Sequence, residues 1–186
     1  MRKIIVSELT TVDGVVDSPE RWRFNYQDSQ LLQYSVEELH AFDALLMGRV
    51  TYESFAAFWP SQKHNEFGIA DKLNTAPKFV ASNSLKTATW NNSRIVSGDV
   101  VDGLRKLKSQ PGGDIGVTGS VGLVQSLATS GLIDEYRLVT FPIVFGGGRR
   151  LFKDGASLPL TLIEAKSFPS GAVLSRYRPA PAQSAR

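Results

Sequence analysis

Strand-like and helix-like segments alternate along this chain from residue 3 to about residue 130, and beyond that point only strand-like runs remain. Few architectures accept such an order. Strands separated by helices must pair in parallel, with the helices covering both faces of the sheet, whereas strands joined by short turns add to an edge in antiparallel fashion. The strand-like runs are "KIIVSEL" at 3–9, "ALLMG" at 44–48, "KFVAS" at 78–82, "SRIVS" at 93–97 and "DIGVTG" at 114–119. Between them, the sequence predicts a helix opened by the capping-box pair Ser35 and Glu38, a second over 51–58 stopped by Pro60, and a third over 65–75. It predicts a fourth from the cap Asp99 through Ser109, with Val100, Val101, Leu104 and Leu107 on one face, and a fifth over 123–130. "DEYRLVTFPIVFGG" reads as a long strand with an edge or bulge at Pro142. "LPLTLIEAKSF" and "GAVLSRYRP" read as a hairpin turned at "PSG". The expected fold is a single α/β domain over residues 1–178. It has a mixed, mainly parallel twisted sheet flanked by helices, a C-terminal antiparallel hairpin, and a disordered tail at 179–186.

Composition narrows the chemistry. With 186 residues and 42% apolar content, the chain is long enough for one packed core. It has no cysteine, which removes disulfides, thiolate metal sites and a cysteine nucleophile, and which fits a cytoplasmic protein. Two histidines are too few for a histidine-rich metal site, so no metal is expected. No apolar run is long enough to cross a bilayer. The net charge is +3, and the basic groups "RWR", "RKLK" and "RR" are scattered. That distribution disfavours nucleic acid, which needs a continuous basic face, but it suits a small polyanion.

Three strand-to-helix junctions carry residues suited to a phosphate. In "LLMGRVTYESF", Gly48 admits a close backbone approach, Arg49 offers a guanidinium fork, and Thr51 offers a hydroxyl at a positive helix end. "FVASNSL" places Ser82 and its neighbours at a strand end. "GGDIGVTGSVGLVQSL" turns at Gly119, Ser120, Val121 and Gly122, with backbone N–H groups converging at a helix start. Each also reads as an ordinary cap or turn. The last is not the G-x-G-x-x-G dinucleotide fingerprint, so a doubly wound dinucleotide domain is disfavoured.

The order "TVDG … LLMGRVTYE … KFVAS … GDIGVTGS … GLVQSL … DEYRLVTFPIVFGGGRRLF" resembles the dihydrofolate reductase-like superfamily. Within it, the chain is similar to the branch that includes the reductase domain of the bifunctional riboflavin-biosynthesis deaminase/reductase, from about residue 3 to 178. The resemblance implies NADPH as cofactor. Gly119, Ser120, Val121 and Gly122 would approach the pyrophosphate, with Gly48, Arg49 and Thr51 on its other side. Ser82 would lie near the adenosine ribose phosphate and, by order along the chain, Ser97 beside it. Val12, Asp13 and Gly14 would close the first strand at the nicotinamide. Residues 17–35 would form a loop over the site, with Trp22 and Phe24 offering flat surfaces to a planar substrate and Asp28 a carboxylate. Gly146 and Gly147 of "FGGGRR" would border the substrate, with Arg149 or Arg150 available for an anionic group.

Dihydrofolate reductases place a buried carboxylate on their first helix. Here Glu37, Glu38 and Asp43 follow the loop at no matching register, which points away from dihydrofolate and leaves Asp13 as the nominated proton donor. The implied function is an NADPH-dependent reductase that passes hydride to a small planar heterocycle of pterin or ribosylaminopyrimidine type. Two alternatives stand beside it: the 5-amino-6-(5-phosphoribosylamino)uracil reductase of riboflavin biosynthesis, and a non-catalytic nucleotide-binding module. The C-terminal edge strands suit a homodimer.

Overall fold

The computed structural model describes residues 1–26 and 28–181. Its strands are β1 (Ile4–Thr11), β2 (Ala44–Gly48), β3 (Lys78–Ala81), β4 (Ser93–Val96), β5 (Ile115–Val117), β6 (Glu135–Phe141), β7 (Leu160–Ser167) and β8 (Val173–Pro179). They form one eight-stranded sheet in the order β4-β3-β2-β5-β1-β6-β8-β7. The helices are α1 (Ser29–Ala41), α2 (Arg49–Phe58), α3 (Ile69–Thr75), α4 (Val100–Ser109) and α5 (Val121–Leu127). The chain is an α/β domain of the expected kind. β6 departs from expectation in direction, since it runs parallel to β1, and the antiparallel pairings are those of β8 with β6 and with β7. β6 follows a helix, so its crossover returns it to the sheet in the same sense as β1. Pro142 lies just past the end of β6, where its missing N–H costs no ladder bond.

Alternation along the buried strands sorts side chains between two cores. Ile4, Val6, Ala44 and Leu46 face α4 and α5, meeting Leu104, Leu107, Val124 and Leu127. Ile5, Leu45 and Met47 face the other way, towards Tyr52 of α2 and Leu73 of α3. A third cluster joins the 17–26 segment to the sheet's far side through Trp22, Leu31, Phe141 and Leu174.

The first helix starts seven residues earlier than the capping-box reading placed it. Asp28 is the cap: its carboxylate accepts from the backbone N–H groups of Gln30 and Leu31. The Ser35 hydroxyl instead donates back to Leu31 O inside the helix. The expected 17–35 loop is therefore two short 3-10 turns, Pro19–Arg21 and Arg23–Tyr26, followed by the opening turns of α1. At the other terminus, Pro179 still pairs with Leu160 and Ala180 N–H donates to Pro159 O. Of the expected tail, Pro179 and Ala180 are thus tied to β7 and its approach, and 182–186 lie outside the described residues. Among the described residues no helix is long and apolar enough to cross a membrane.

Candidate active site

β1 and β5 pair only as far as Val6 and Val117, while β1 runs on to Thr11. Beyond that pair the two strands part, and the turn leaving β5 separates two cavities. Thr118 lines one and Ser120 the other. Such a split at the carboxyl ends of parallel strands is where α/β sheets receive ligands.

The first cavity, about 380 Å³, is a groove in which the three phosphate-suited junctions meet. Gly48, Arg49 and Thr51 from the start of α2, Ser82 from the end of β3, and Ser120, Val121 and Gly122 from the start of α5 all line it. Two side-chain bonds latch the junctions together. Ser120 N–H donates to Thr51 Oγ1 at 2.9 Å, and Ser120 Oγ accepts from Gly48 N–H at 3.0 Å. The turn needs its glycine. Gly119 has φ +61°, and a Cβ there would stand 3.2 Å from Thr51 Oγ1. Ser120 itself is left-handed at φ 60°, held there by the latch.

Arg149, expected at the substrate rim, lines this groove instead. Its backbone N–H and Nε both donate to Asp17, which brings the 146–150 segment over the cavity. Arg49 is half-exposed and pairs with Glu53 along α2. Ser82 Oγ accepts from Ser84 N–H and Leu85 N–H, so it builds the turn at the end of β3 and presents little free hydroxyl. Ser97 is exposed and does not line the groove. Its neighbour Gly98 is tied to Asn83, which does.

Glu8 carries no signal in the sequence that would single it out. It is 5% exposed on β1, and Oε1 has no hydrogen-bond partner among the described residues. Burial pushes its carboxyl well above the usual range, against a smaller pull from the Gly119 backbone N–H. A carboxyl whose charged form burial disfavours therefore sits beside the turn that divides the two cavities.

The groove fits a phosphorylated nucleotide on its own chemistry. The N-terminus of the ten-residue α2 and the turn at 119–122 present main-chain donors. Arg49 and Arg149 supply positive charge without closing the opening. Nothing stands within 4 Å of where a Gly122 Cβ would lie, so the approach to that backbone is open.

The second cavity, about 340 Å³, runs between α1 and the α2–α3 side. It extends from Arg23, Asp28 and Leu9 down to Phe42, Leu45 and Leu73. Glu38 lines it, fully engaged. Glu38 accepts from Ser7 Oγ at 2.5 Å, from Tyr34 OH at 2.6 Å and from Arg137 at 3.2 Å.

The remaining expected residues fall elsewhere. Asp13 accepts from the Thr11 hydroxyl and from the N–H groups of Phe145 and Gly146. Those bonds, Thr11 foremost, hold its carboxyl down at about 2. At neutral pH it has no proton to give, and its geometry is that of a clasp between two loops. Val12 is 62% exposed with its N–H on Ile143 O, and Gly14 completes the turn with φ +81°. Neither lines either of these two cavities, nor do Gly146 and Gly147. Trp22 is 1% exposed, donates to Asp17 O and packs edge-on against Phe141 at 5.4 Å. It tethers the 17–26 segment to the sheet and offers a ligand no free face. Phe24 is exposed beneath the Arg23 guanidinium. Asp28 does border the second cavity, as the α1 cap.

Comparison with known proteins agrees with this geometry. The chain is 26% identical over 182 residues to the uncharacterised protein YyaP of Bacillus subtilis, covering 95% of this chain and 94% of that one. Its fold matches a protein from Shewanella sp. PV-4 described as a riboflavin biosynthesis protein. There the TM-score is 0.73 at 23% identity, over 96% and 99% of the two chains. It also matches dihydrofolate reductase from Enterococcus faecalis, a structure complexed with NADP(H), at TM-score 0.63 and 12% identity over 96% and 97%. The family model of the RibD C-terminal domain matches residues 2–174. With the split between β1 and β5, the two cavities that flank it and a family match over nearly its whole length, the chain belongs to the RibD C-terminal domain family.

Proposed function

We propose that this protein is an NADPH-dependent reductase that passes hydride to a small planar heterocycle. One observation carries the reading: a groove suited to a dinucleotide's phosphates and an apolar pocket of ring size open on either side of one turn, residues 118–120. When bound, the nicotinamide cofactor supplies the hydride. The chain's own residues do the rest. The latched backbone of 48–51 and 119–122 would hold the pyrophosphate, and Arg49 and Arg149 would neutralise it. The 2′-phosphate preference is assigned to the same two arginines. The walls of the second cavity orient a flat ring and exclude water. The proton does not come from Asp13, which is ionised.

The test is thermal unfolding with NADPH, with NADH and without ligand. Ligand at a hundred times its Kd stabilises the native state by about 2.7 kcal/mol, a rise of about 5–10 °C for a chain of this size. The expected result is that rise with NADPH and a much smaller one with NADH. No rise with either removes the reading. The same reading includes a cytoplasmic homodimer whose interface is the C-terminal hairpin edge.

A further inference from the structure

The second cavity holds an electrostatic imbalance that a reductase site alone does not explain. Its walls are mostly apolar, with Leu9, Leu31, Leu39, Phe55, Trp59 and Phe141 representative, and Ser7, Ser35 and Thr118 add hydroxyls. Three charged side chains reach it. Two carboxylates are already satisfied, Glu38 by Ser7, Tyr34 and Arg137, and Asp28 by the N–H groups of Gln30, Leu31 and Ser170. The third, Arg23, is not. Its Nε is buried and has no hydrogen-bond partner, and its guanidinium enters no ion pair, among the described residues. Its only close companion of note is the Phe24 ring, 4.7 Å away. Burial weakens the solvation of this cation, with Glu20 offering a partial, distant compensation. A half-buried guanidinium left unpaired at the edge of an apolar cavity is costly unless an anion completes it.

We propose that Arg23 is the anchor for a single carboxylate on an otherwise apolar, planar substrate bound between α1 and α2. The proposal rests on the reductase reading for the word substrate. Guanidinium and carboxylate match as a two-pronged fork. A phosphate monoester would bring a second negative charge, and among the described residues nothing on this wall receives it: Arg23 is the one cation there, and Asp28 stands on the same rim. The lining likewise gives a ribityl or ribosyl chain little to bind: the Ser7 and Ser35 hydroxyls are engaged, which leaves the Thr118 hydroxyl as the one without a hydrogen bond among the described residues. The substrate class is thus a planar monocarboxylate, not a sugar phosphate.

The test is calorimetric binding of three probes, 2-naphthoate, methyl 2-naphthoate and 2-naphthyl phosphate, to the wild-type chain and to Arg23→Gln. The expected result is that naphthoate binds the wild type most tightly of the three. Arg23→Gln weakens naphthoate at least tenfold and leaves the ester's affinity where it was. Leu32→Trp, which fills the cavity from its half-exposed rim, abolishes binding of both. Three results overturn the proposal: naphthoate affinity indifferent to Arg23→Gln, naphthyl phosphate binding more tightly than naphthoate, or ester and acid binding undisturbed by Leu32→Trp. Failure of all three probes to bind overturns it as well. The NADPH thermal shift of the wild type is read separately. Its absence sinks the reductase reading while the probe result stands, and its presence in Arg23→Gln shows that the variant is folded.

Discussion

Ser120 and Thr51 lie 69 positions apart, yet the Ser120 N–H donates to Thr51 Oγ1 at 2.9 Å while Ser120 Oγ accepts from Gly48 N–H at 3.0 Å. The start of α2 and the start of α5 are thereby one rigid unit. A pyrophosphate held by both would meet donors that need no rearrangement, which is where binding energy is otherwise lost. Thr51→Val removes the acceptor and leaves the Ser120 N–H in part-buried surroundings without a partner. The expected cost is about 1–3 kcal/mol of stability, read as a lowered urea midpoint at unchanged slope. NADPH affinity should fall with it, and Thr51→Ser should restore both. A Thr51→Val chain with wild-type affinity would show that the latch does not shape the groove.

Asp13 and the 145–146 backbone form a second clasp, and its chemistry decides what the residue does. Because the folded carboxyl titrates near 2, below the unfolded value, its contribution is present above about pH 4. That contribution is lost as pH falls towards 2. Nothing in this titrates between pH 5 and 8. Asp13→Asn should therefore leave the shape of the rate profile across that range unaltered. It should speed amide exchange at Phe145 and Gly146, whose N–H groups lose a charged acceptor. A limb of the profile that vanishes in Asp13→Asn would return the residue to the role of proton donor.

Glu8 behaves in the opposite sense. Burial raises its folded pKa above the unfolded value, so the unfolded chain ionises first as pH rises. Stability attributable to Glu8 is intact below about pH 4 and declines as pH climbs towards the folded pKa. Glu8→Gln keeps the size and removes the ionisation. Its Tm relative to wild type should rise between pH 4 and pH 8, with little difference at pH 4. Parallel pH curves for the two chains would mean that Glu8 finds a charged partner.

Much of the fold was legible because its signals are local. The β-branched run in "KIIVSEL" and the unbroken apolar run in "ALLMG" follow from strands buried on both faces, and Asp99 before Val100 is a cap that the structure keeps. The three junctions were legible as pieces, since each carries a glycine or hydroxyl at a strand end. Their convergence was not, because the Ser120–Thr51 bond joins distant positions. The first helix was misplaced because Asp28 and Ser35 are both plausible caps, and the choice is settled by tertiary contact: Asp28 also receives Ser170 N–H from the C-terminal hairpin. That seven-residue shift hid Glu38. With α1 starting at Ser29, Glu38 falls in its third turn, against Ser7 of β1 and Arg137 of β6. Arg23 gave no signal at all, since an unpaired cation is defined by the partners it lacks. Trp22 and Phe24, two residues apart in "RWRF", read alike in sequence. Only packing against Phe141 makes Trp22 core and leaves Phe24 exposed.

The sheet ends on β7, and that edge carries the prediction about assembly. Leu162 is 53% exposed and Ile163 49% exposed, side by side at a register break between Leu162 and Glu164. A bulge of this kind discourages continuous strand pairing across an edge. It also turns apolar side chains outwards, so two copies related by a two-fold axis would meet through side chains more than through a shared ladder. Light scattering should give twice the 20.4 kDa chain mass at micromolar concentration. Leu162→Lys with Ile163→Lys should return the monomer without lowering the NADPH thermal shift, because neither residue lines a cavity. A wild-type chain that stays monomeric at high concentration removes the homodimer. A dimer that survives the double lysine variant moves its interface away from β7.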